Sequence, residues 1–297
     1  MSLRVLDPGL FTLVVDYGRP NHRSLGVPVG GAADRFSLAL GNALVGNPPD
    51  APGLEISLSG PTLQAECDLA CVVFGAPFAL FCKRQQLIAG KTFTLRAGET
   101  LRIGGSQEGM RAYLCIRGGI DAPIALGSRS SLEPLRAGTA LPCHASVIGA
   151  RWIDRKLDWS GGSASLRVLE GPQAEWFDAD DLREHVFIVT PASNRMGLRL
   201  EGKLLGLPSR ELISEPVCPG SVQVTRDGQC VILGVDGQTI GGYPKLAQVI
   251  SADLDVLGQL RPGTRVGFVQ VTMVEAEQAR LRRQAELNEW LMRLRMI

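Results

Sequence analysis

Histidine is scarce in this sequence, with three in 297 residues, and cysteine, with seven, never forms a C-x-x-C pair. Only Cys143 beside His144 puts two soft ligands together, and His22 and His185 lie far away in sequence, so no metal centre is expected. An odd, scattered set of cysteines among apolar neighbours reads as reduced, buried thiols. Excess charge of one sign is also missing. The 31 basic and 30 acidic side chains nearly cancel, which removes the usual argument for nucleic acid or an anionic membrane as partner. No apolar run approaches 18 residues and no charged-then-apolar leader opens the chain, so a soluble, unexported, cytoplasmic protein is expected. The catalytic signatures G-x-S-x-G, H-E-x-x-H and G-x-x-x-x-G-K-[ST] are absent as well, which leaves no ready nucleophile, zinc base or phosphate loop.

What is present is a series of short strand-like runs cut by glycine and proline. "LACVVFG", "FALFCK", "TFTLRAG", "TLRIGG" and "RAYLCIRGG" follow one another between residues 69 and 119. Each ends in a turn signal, and "RAGET" at 96–100 reads as a hairpin turn. The second half repeats the style with "SLRVLEG", "HVFIVT", "MGLRLEG", "SVQVTRDGQCVILGVDG" and "TRVGFVQVTMV". Val222 and Val224 alternate with polar neighbours, and Asp227-Gly228 supplies a second hairpin. Such spacing favours an antiparallel sandwich or barrel over β-α-β units. "DWSGGSAS", Asp158 to Ser165, is the best linker. The chain is therefore divided into residues 1–160 and 161–297, each with a β-rich body.

Few helices are expected. One runs from Arg35 to Val45 behind an Asp34 N-cap, with Gly41 weakening it. Another starts at Pro172 in "GPQAEWF". A third spans Glu275 to Arg295, where Leu281, Ala285, Leu287, Leu291 and Leu294 recur at helical spacing. That amphipathic C-terminal helix packs on its own domain or docks a partner.

Five glycine-studded stretches carry polar groups suited to chemistry. "GVPVGGAADRF" ends in Asp34 and Arg35 where a helix begins, a place where free N–H groups favour an anion. As a bare motif it also reads as a tight turn with an N-cap. "RGGIDAPIALGSRSS" offers Arg117, Asp121, Arg129 and Ser130, and "PASNRMG" offers Ser193, Asn194 and Arg195. "SEPVCPGSVQV" contains Glu215, and "VDGQTIGGYPKL" contains Asp236, Gln238, Thr239, Tyr243 and Lys245 around Gly241-Gly242. Together they suggest a polar, glycine-lined cleft whose arginines suit an anionic substrate.

These stretches, in this order over residues 26–268, resemble the biotin-dependent carboxyltransferase-like family, also called the allophanate hydrolase subunit 2 domain. "DGQTIGGYPKLAQVISADLDVLGQLRPGTRVGF" is the most specific piece. The resemblance implies a mainly β fold of two cyclophilin-like barrel subdomains. It also implies a sister protein of the subunit 1 type, the B-type component of oxoprolinases. In the 5-oxoprolinase members a third subunit joins, and 5-oxo-L-proline is opened to L-glutamate with ATP hydrolysis in the complex. Other members transfer a carboxyl group from carboxybiotin to urea, and biotin belongs only to that alternative. Some pair as non-catalytic regulators of a histidine kinase. This sequence departs from the family at Ala33, where methionine is usual, at Asn194, where aspartate is common, and at 131–145, where relatives have a longer segment.

The chemistry implied needs an oxyanion holder and an acid or base. Asp34, Glu215 and Lys245 are the acid–base candidates. Arg35, Arg117, Arg129 and Arg195 are the anion holders. Ser130, Asn194, Gln238, Thr239, Gly241, Gly242 and Tyr243 are expected to bind the small-molecule substrate.

Overall fold

Short apolar runs bounded by glycine and proline do form strands, and the computed structural model describes them over residues 1–153, 162–178, 182–206 and 212–295. In chain order the first ten are β1 (Ser2–Asp7), β2 (Phe11–Val15), β3 (Gly53–Ser57), β4 (Thr62–Ala65), β5 (Leu69–Gly75), β6 (Leu80–Phe81), β7 (Phe93–Leu95), β8 (Thr100–Ile103), β9 (Arg111–Ile116) and β10 (Ala140–Pro142). Helix α1 (Arg35–Val45) lies between β2 and β3. The second series is β11 (Ser163–Glu170), β12 (Phe187–Val189), β13 (Gly197–Glu201), β14 (Glu215–Pro216), β15 (Ser221–Val224), β16 (Cys230–Leu233), β17 (Ile240–Gly241), β18 (Lys245–Val249) and β19 (Arg265–Gln270). Helix α2 (Leu254–Leu257) precedes β19 and α3 (Met273–Arg295) follows it.

The chain divides into two units, one made of residues 1–18, 34–159 and 287–297, the other of 19–33 and 160–286. The segment 19–33 thus groups with the second unit although it comes early in the chain. The sequence-based boundary at 160/161, and residues 158–161 of the linker, lie outside the described residues; β11 begins at Ser163.

In the first unit, strands run in the orders β10-β1-β4-β8-β6 and β2-β3-β9-β5-β7. The central strands β5 and β9 are buried along almost their whole length because α1 covers them, which explains why they read as continuous apolar runs rather than alternating ones. Gly41 is needed here: a Cβ at that position would come within 2.8 Å of Cys115 Sγ and 3.2 Å of Phe74 Cβ. The expected hairpin at 96–100 is corrected. Gly98 does make a tight turn, with φ +82, but β7 and β8 belong to different sheets, so the turn carries the chain from one sheet to the other.

The second unit holds a closed barrel in the order β11-β18-β15-β16-β13-β12-β19. Parallel pairing of β11 with β19 closes it, from Ser163 opposite Arg265 to Val168 opposite Gln270. The Asp227-Gly228 hairpin joins β15 to β16 as expected, with Val224 opposite Cys230. Gln223, taken as the polar side of an alternating strand, is itself buried, as are Val222 and Val224. The pair β14–β17 lies outside the barrel and sets Glu215 opposite Gly241. The apolar core is filled by Leu166, Phe187, Val222, Ile232, Val266 and their neighbours.

The helix expected from Pro172 is only a 3-10 turn, Ala174–Trp176. Helix α3 starts two residues before Glu275, because Thr272 and Glu275 form a reciprocal capping box: Thr272 N–H donates to Glu275 Oε2 at 2.8 Å and Glu275 N–H to Thr272 Oγ1 at 3.3 Å. Ala276 and Ala279 pack with Ile250 and Ala252, whereas Leu281 and Ala285, expected on the packed face, are exposed. Among the described residues, no helix is long and apolar enough to cross a membrane.

The cysteines are free, and five of the seven are buried. Burial pushes the Cys143 thiol up to about 12 and raises the Cys71 and Cys115 thiols strongly too, so they act as small packing groups.

Candidate functional site

In the first unit, Asp34 caps α1. Its Oδ1 accepts the Ser37 N–H at 2.9 Å and its Oδ2 the Ser37 hydroxyl at 2.6 Å. The Asp34 N–H donates to Tyr113 Oη at 2.8 Å, and that hydroxyl donates to Glu55 Oε2 at 2.9 Å. Arg111 Nε then donates to Glu55 Oε1 at 3.2 Å. Asp34, Tyr113, Glu55 and Arg111 are all buried. Burial, together with the charges of Glu55 and Asp34, pushes the Tyr113 phenol far up, so it stays a neutral bridge. Arg35 reaches back to the Tyr17 carbonyl at 2.7 Å and stands over the Tyr17 ring at 5.5 Å.

A second cluster of the same unit forms around Asp16 at the end of β2. Its Oδ1 accepts the Ser128 and Ser130 hydroxyls, each at 2.6 Å, and the Gly18 N–H at 2.8 Å; its Oδ2 accepts the Arg129 N–H at 2.6 Å. Burial pushes this carboxyl up, but the hydrogen bonds from Ser128, Ser130, Arg129 and Gly18 outweigh it and hold it below its ordinary value. Ser130, expected to touch substrate, therefore spends its hydroxyl on Asp16 and is buried. Arg129 pairs with Asp121 at 2.5 Å, and Arg117 is exposed. Segment 131–145 begins along β2: Ser131 N–H donates to Val14 O and Leu135 N–H to Thr12 O, each at 2.8 Å.

In the second unit, the glycine stretch 26–31 is bound in place. Gly30 N–H donates to Val235 O at 2.8 Å, and Arg195 Nη2 donates to Gly31 O at 2.6 Å. The same guanidinium grips Asp236 with both arms, Nε to Oδ2 at 2.6 Å and Nη2 to Oδ1 at 2.9 Å. Arg195 is buried; it clamps the strap through a carboxylate 41 positions away. Asn194 is exposed and its Oδ1 accepts the Met196 N–H at 2.8 Å, a turn bond that an aspartate would also make.

The remaining candidates of this unit gather around β14, β17 and the start of β18. Lys245 Nζ donates to Glu215 Oε2 and, at 3.4 Å, to the Pro216 carbonyl. The Lys245 side chain is 12% exposed and that of Glu215 37%. The hydrogen bond from Lys245 holds the Glu215 carboxyl below its ordinary value. Gly241 lies against two glutamine amides: a Cβ would come within 2.9 Å of both Gln223 Nε2 and Gln238 Nε2 and would displace them. Gln238, Gly242 and Tyr243 are exposed, and Thr239 is buried.

The structure thus joins Glu215 to Lys245 and seats Gly241 opposite Glu215, but it places Arg195 on Asp236 and Ser130 on Asp16. Sequence reasoning left out Asp16, Glu55, Tyr113 and Gln173. Their roles come largely from partners tens of residues away, such as Ser128 for Asp16, Tyr113 for Glu55 and Glu215 for Gln173.

Known proteins resemble this chain over most of its length. The family described as "Carboxyltransferase domain, subdomain A and B" matches residues 25–270. The chain is 35% identical to the C subunit of 5-oxoprolinase from Escherichia coli K12, covering 98% of each chain. The crystal structure of TTHA0988 superposes with a TM-score of 0.83 at 35% identity, over 90% of this chain and 56% of that one, so the chain spans about half of that protein's length. The crystal structure of K. lactis urea amidolyase gives a TM-score of 0.88 at 28% identity, over 97% of this chain and a 20% portion of that much longer one.

Proposed function

The chain belongs to the carboxyltransferase domain family of subdomains A and B, and from that premise we propose that it is the C subunit of an ATP-dependent 5-oxoprolinase, converting 5-oxo-L-proline to L-glutamate with partner subunits in the cytoplasm. The observation that carries this reading is the end-to-end match to the C subunit of 5-oxoprolinase, which covers 98% of each chain. The partners are a B-type sister protein and a third oxoprolinase subunit, and this chain is inactive alone.

Within the second unit, Glu215 and Lys245 carry the proton and charge work. An ammonium has three N–H groups; Glu215 takes one and the Pro216 carbonyl another, and on binding the one on Glu215 turns to a substrate oxygen in exchange. There it stabilises the oxyanion that forms when the ring carbonyl is attacked. Glu215 is ionised at neutral pH, uses Oε2 for Lys245 and Gln173, and offers Oε1 to a proton of the attacking water, which passes on to the ring nitrogen as its C–N bond breaks. Gln238, Tyr243 and the Gly241-Gly242 backbone orient the substrate. Asp34 acts by fixing the start of α1, its two oxygens being committed to Ser37. Arg117 and Arg35 are the anion holders of the first unit.

ATP acts in the complex, and the glycine stretch of this chain does not fit its phosphates. The Gly30 N–H is used on Val235 and the Arg195 fork on Asp236, so the two kinds of phosphate donor are already occupied.

The test is glutamate release from 5-oxoproline and ATP by this chain co-expressed with its neighbouring subunits, with this chain omitted as control. Turnover that disappears on omission is expected. A well-formed complex without turnover overturns the reading and favours biotin-dependent carboxyl transfer, the alternative supported by the urea amidolyase superposition; a requirement for biotin would then be measured.

A further inference from the structure

Gln173 belongs to the segment "GPQAEWF", and its side chain is buried beside the Glu215–Lys245 pair. Three features hold it there. Gly171 lies so tightly on β18 that a Cβ would fall 2.2 Å from the Lys245 carbonyl oxygen, which only glycine avoids. Gly171 N–H donates to Leu246 O at 3.0 Å and Gln173 N–H to Lys245 O at 3.2 Å. The Gln173 side chain then uses both ends of its amide: Oε1 accepts the Lys245 backbone N–H at 3.0 Å, and Nε2 donates to Glu215 Oε2 at 3.3 Å. The two bonds demand opposite ends of the amide, so each fixes the orientation of the other.

The consequence lies in the oxygen that is shared. Glu215 Oε2 accepts from both Lys245 and Gln173. If the ammonium turns to a substrate oxygen, a carboxylate without Gln173 would keep no side-chain donor on that oxygen and would be left to solvent, free to leave its working orientation. With Gln173 the carboxylate keeps one. We propose that Gln173 is a positioning residue: it anchors the backbone of Lys245 and keeps Glu215 in place and hydrogen-bonded while the Lys245 ammonium exchanges Glu215 for substrate. The proposal rests on the reading that Glu215 and Lys245 work on the substrate, and it adds a residue that touches neither substrate nor reacting atoms.

The charged surroundings of Lys245 are simple. Glu215 is its ion-pair partner among the described residues. β15 presents the neutral Gln223 opposite it. On β11, Arg167 is paired with Asp253, and Glu170 faces Ala247; Glu175 stands on the 3-10 turn. A carboxylate placed at 173 is therefore the closest new charge the ammonium would meet.

Two variants of the full chain test this. Gln173→Glu keeps an acceptor for the Lys245 N–H but replaces the donor to Glu215 with negative charge. The titration of Lys245 is followed by 13Cε-lysine NMR, with its signal assigned by loss in Lys245→Ala. Its midpoint is expected to rise by about half a unit or more. Gln173→Met keeps the length and removes both amide functions. In the reconstituted complex its kcat for 5-oxoproline is expected to fall about 10- to 100-fold, with KM little changed and the melting temperature of the chain lower by a few degrees, since the Lys245 N–H loses its acceptor. An unmoved Lys245 midpoint in folded Gln173→Glu, or full kcat in Gln173→Met, overturns the proposal. Absence of turnover in the wild-type complex would instead sink the oxoprolinase reading, and the NMR midpoint, which needs no activity, still shows whether residue 173 faces the Lys245 ammonium as the proposal requires.

Discussion

Asp34 in the first unit is 2% exposed and has both oxygens filled by Ser37, whereas the Glu215 side chain in the second keeps 37% of its surface open and loads one oxygen with two donors. The two carboxylates are the same chemistry in different company. Around Asp34, each member of the series Asp34–Tyr113–Glu55–Arg111 is buried and hydrogen-bonded to the next. Such a network holds one arrangement, because moving any member orphans another in a low-dielectric interior. Around Glu215, an alternative donor and open solvent make exchange cheap. Saturation and burial therefore mark the group that builds the fold, and partial exposure with a spare lone pair marks the group that can take a proton.

The contrast is broken or sharpened most strongly at Lys245. Lys245→Ala should lower turnover of the reconstituted complex about 100-fold or more, the range for loss of a positioned proton-transfer or oxyanion group. The melting temperature should move by no more than a few degrees, since the ion pair reaches solvent through Glu215. Steady-state kinetics beside a thermal melt measures both. Unchanged turnover would remove the second unit's claim to the chemistry.

Asp34→Ala should do the reverse. Loss of the cap costs about 0.5–2 kcal/mol, and the buried Ser37 hydroxyl and N–H left without acceptors add about 1 kcal/mol or more. The melting temperature should fall by about 5–10 °C, while turnover per folded molecule stays within a few-fold. A variant that melts normally but is inactive would put Asp34 among the proton-transfer groups and erase the distinction drawn above.

The parts of this picture that were legible beforehand are those written in neighbouring residues. Helix α1 was readable because Asp34, a good N-cap, stands at its start; the structure adds Gly46, in the left-handed conformation at φ +83, at its end. The β15–β16 hairpin was readable from Asp227-Gly228. The turn at 96–100 was equally visible, yet a turn signal says nothing about which sheet the next strand joins, and β8 joins the other one. The site shows the same limit. The stretches holding Arg195 and Asp236 were both picked out, but their bidentate pairing spans 41 positions, and only the fold shows that it uses up the guanidinium. Gln173 carries no charge and follows a proline, so nothing local distinguishes it from a helix-starting residue.

Asp16 allows the smallest and most specific test of the comparison, because it shares traits with both carboxylates. It is half-buried, like Glu215, yet saturated by four donors, like Asp34. Its folded-state pKa lies below the ordinary 3.8, so its ionised form stabilises the fold. That contribution is present above the unfolded value and is lost as pH falls through the depressed folded value. Asp16→Asn should therefore cost about 1–2 kcal/mol at neutral pH, since the amide NH₂ must face hydroxyl or N–H donors. The variant should also lose stability less steeply than the wild type as pH falls below about 4, because the wild type takes up a proton on unfolding there and the variant does not. Urea unfolding of the full chain from pH 7 to pH 3 measures both effects. Parallel curves for the two proteins would mean that Asp16 is held no more tightly than in the unfolded chain. Saturation by donors would then fail as the sign of a structural carboxylate, for Asp34 as well.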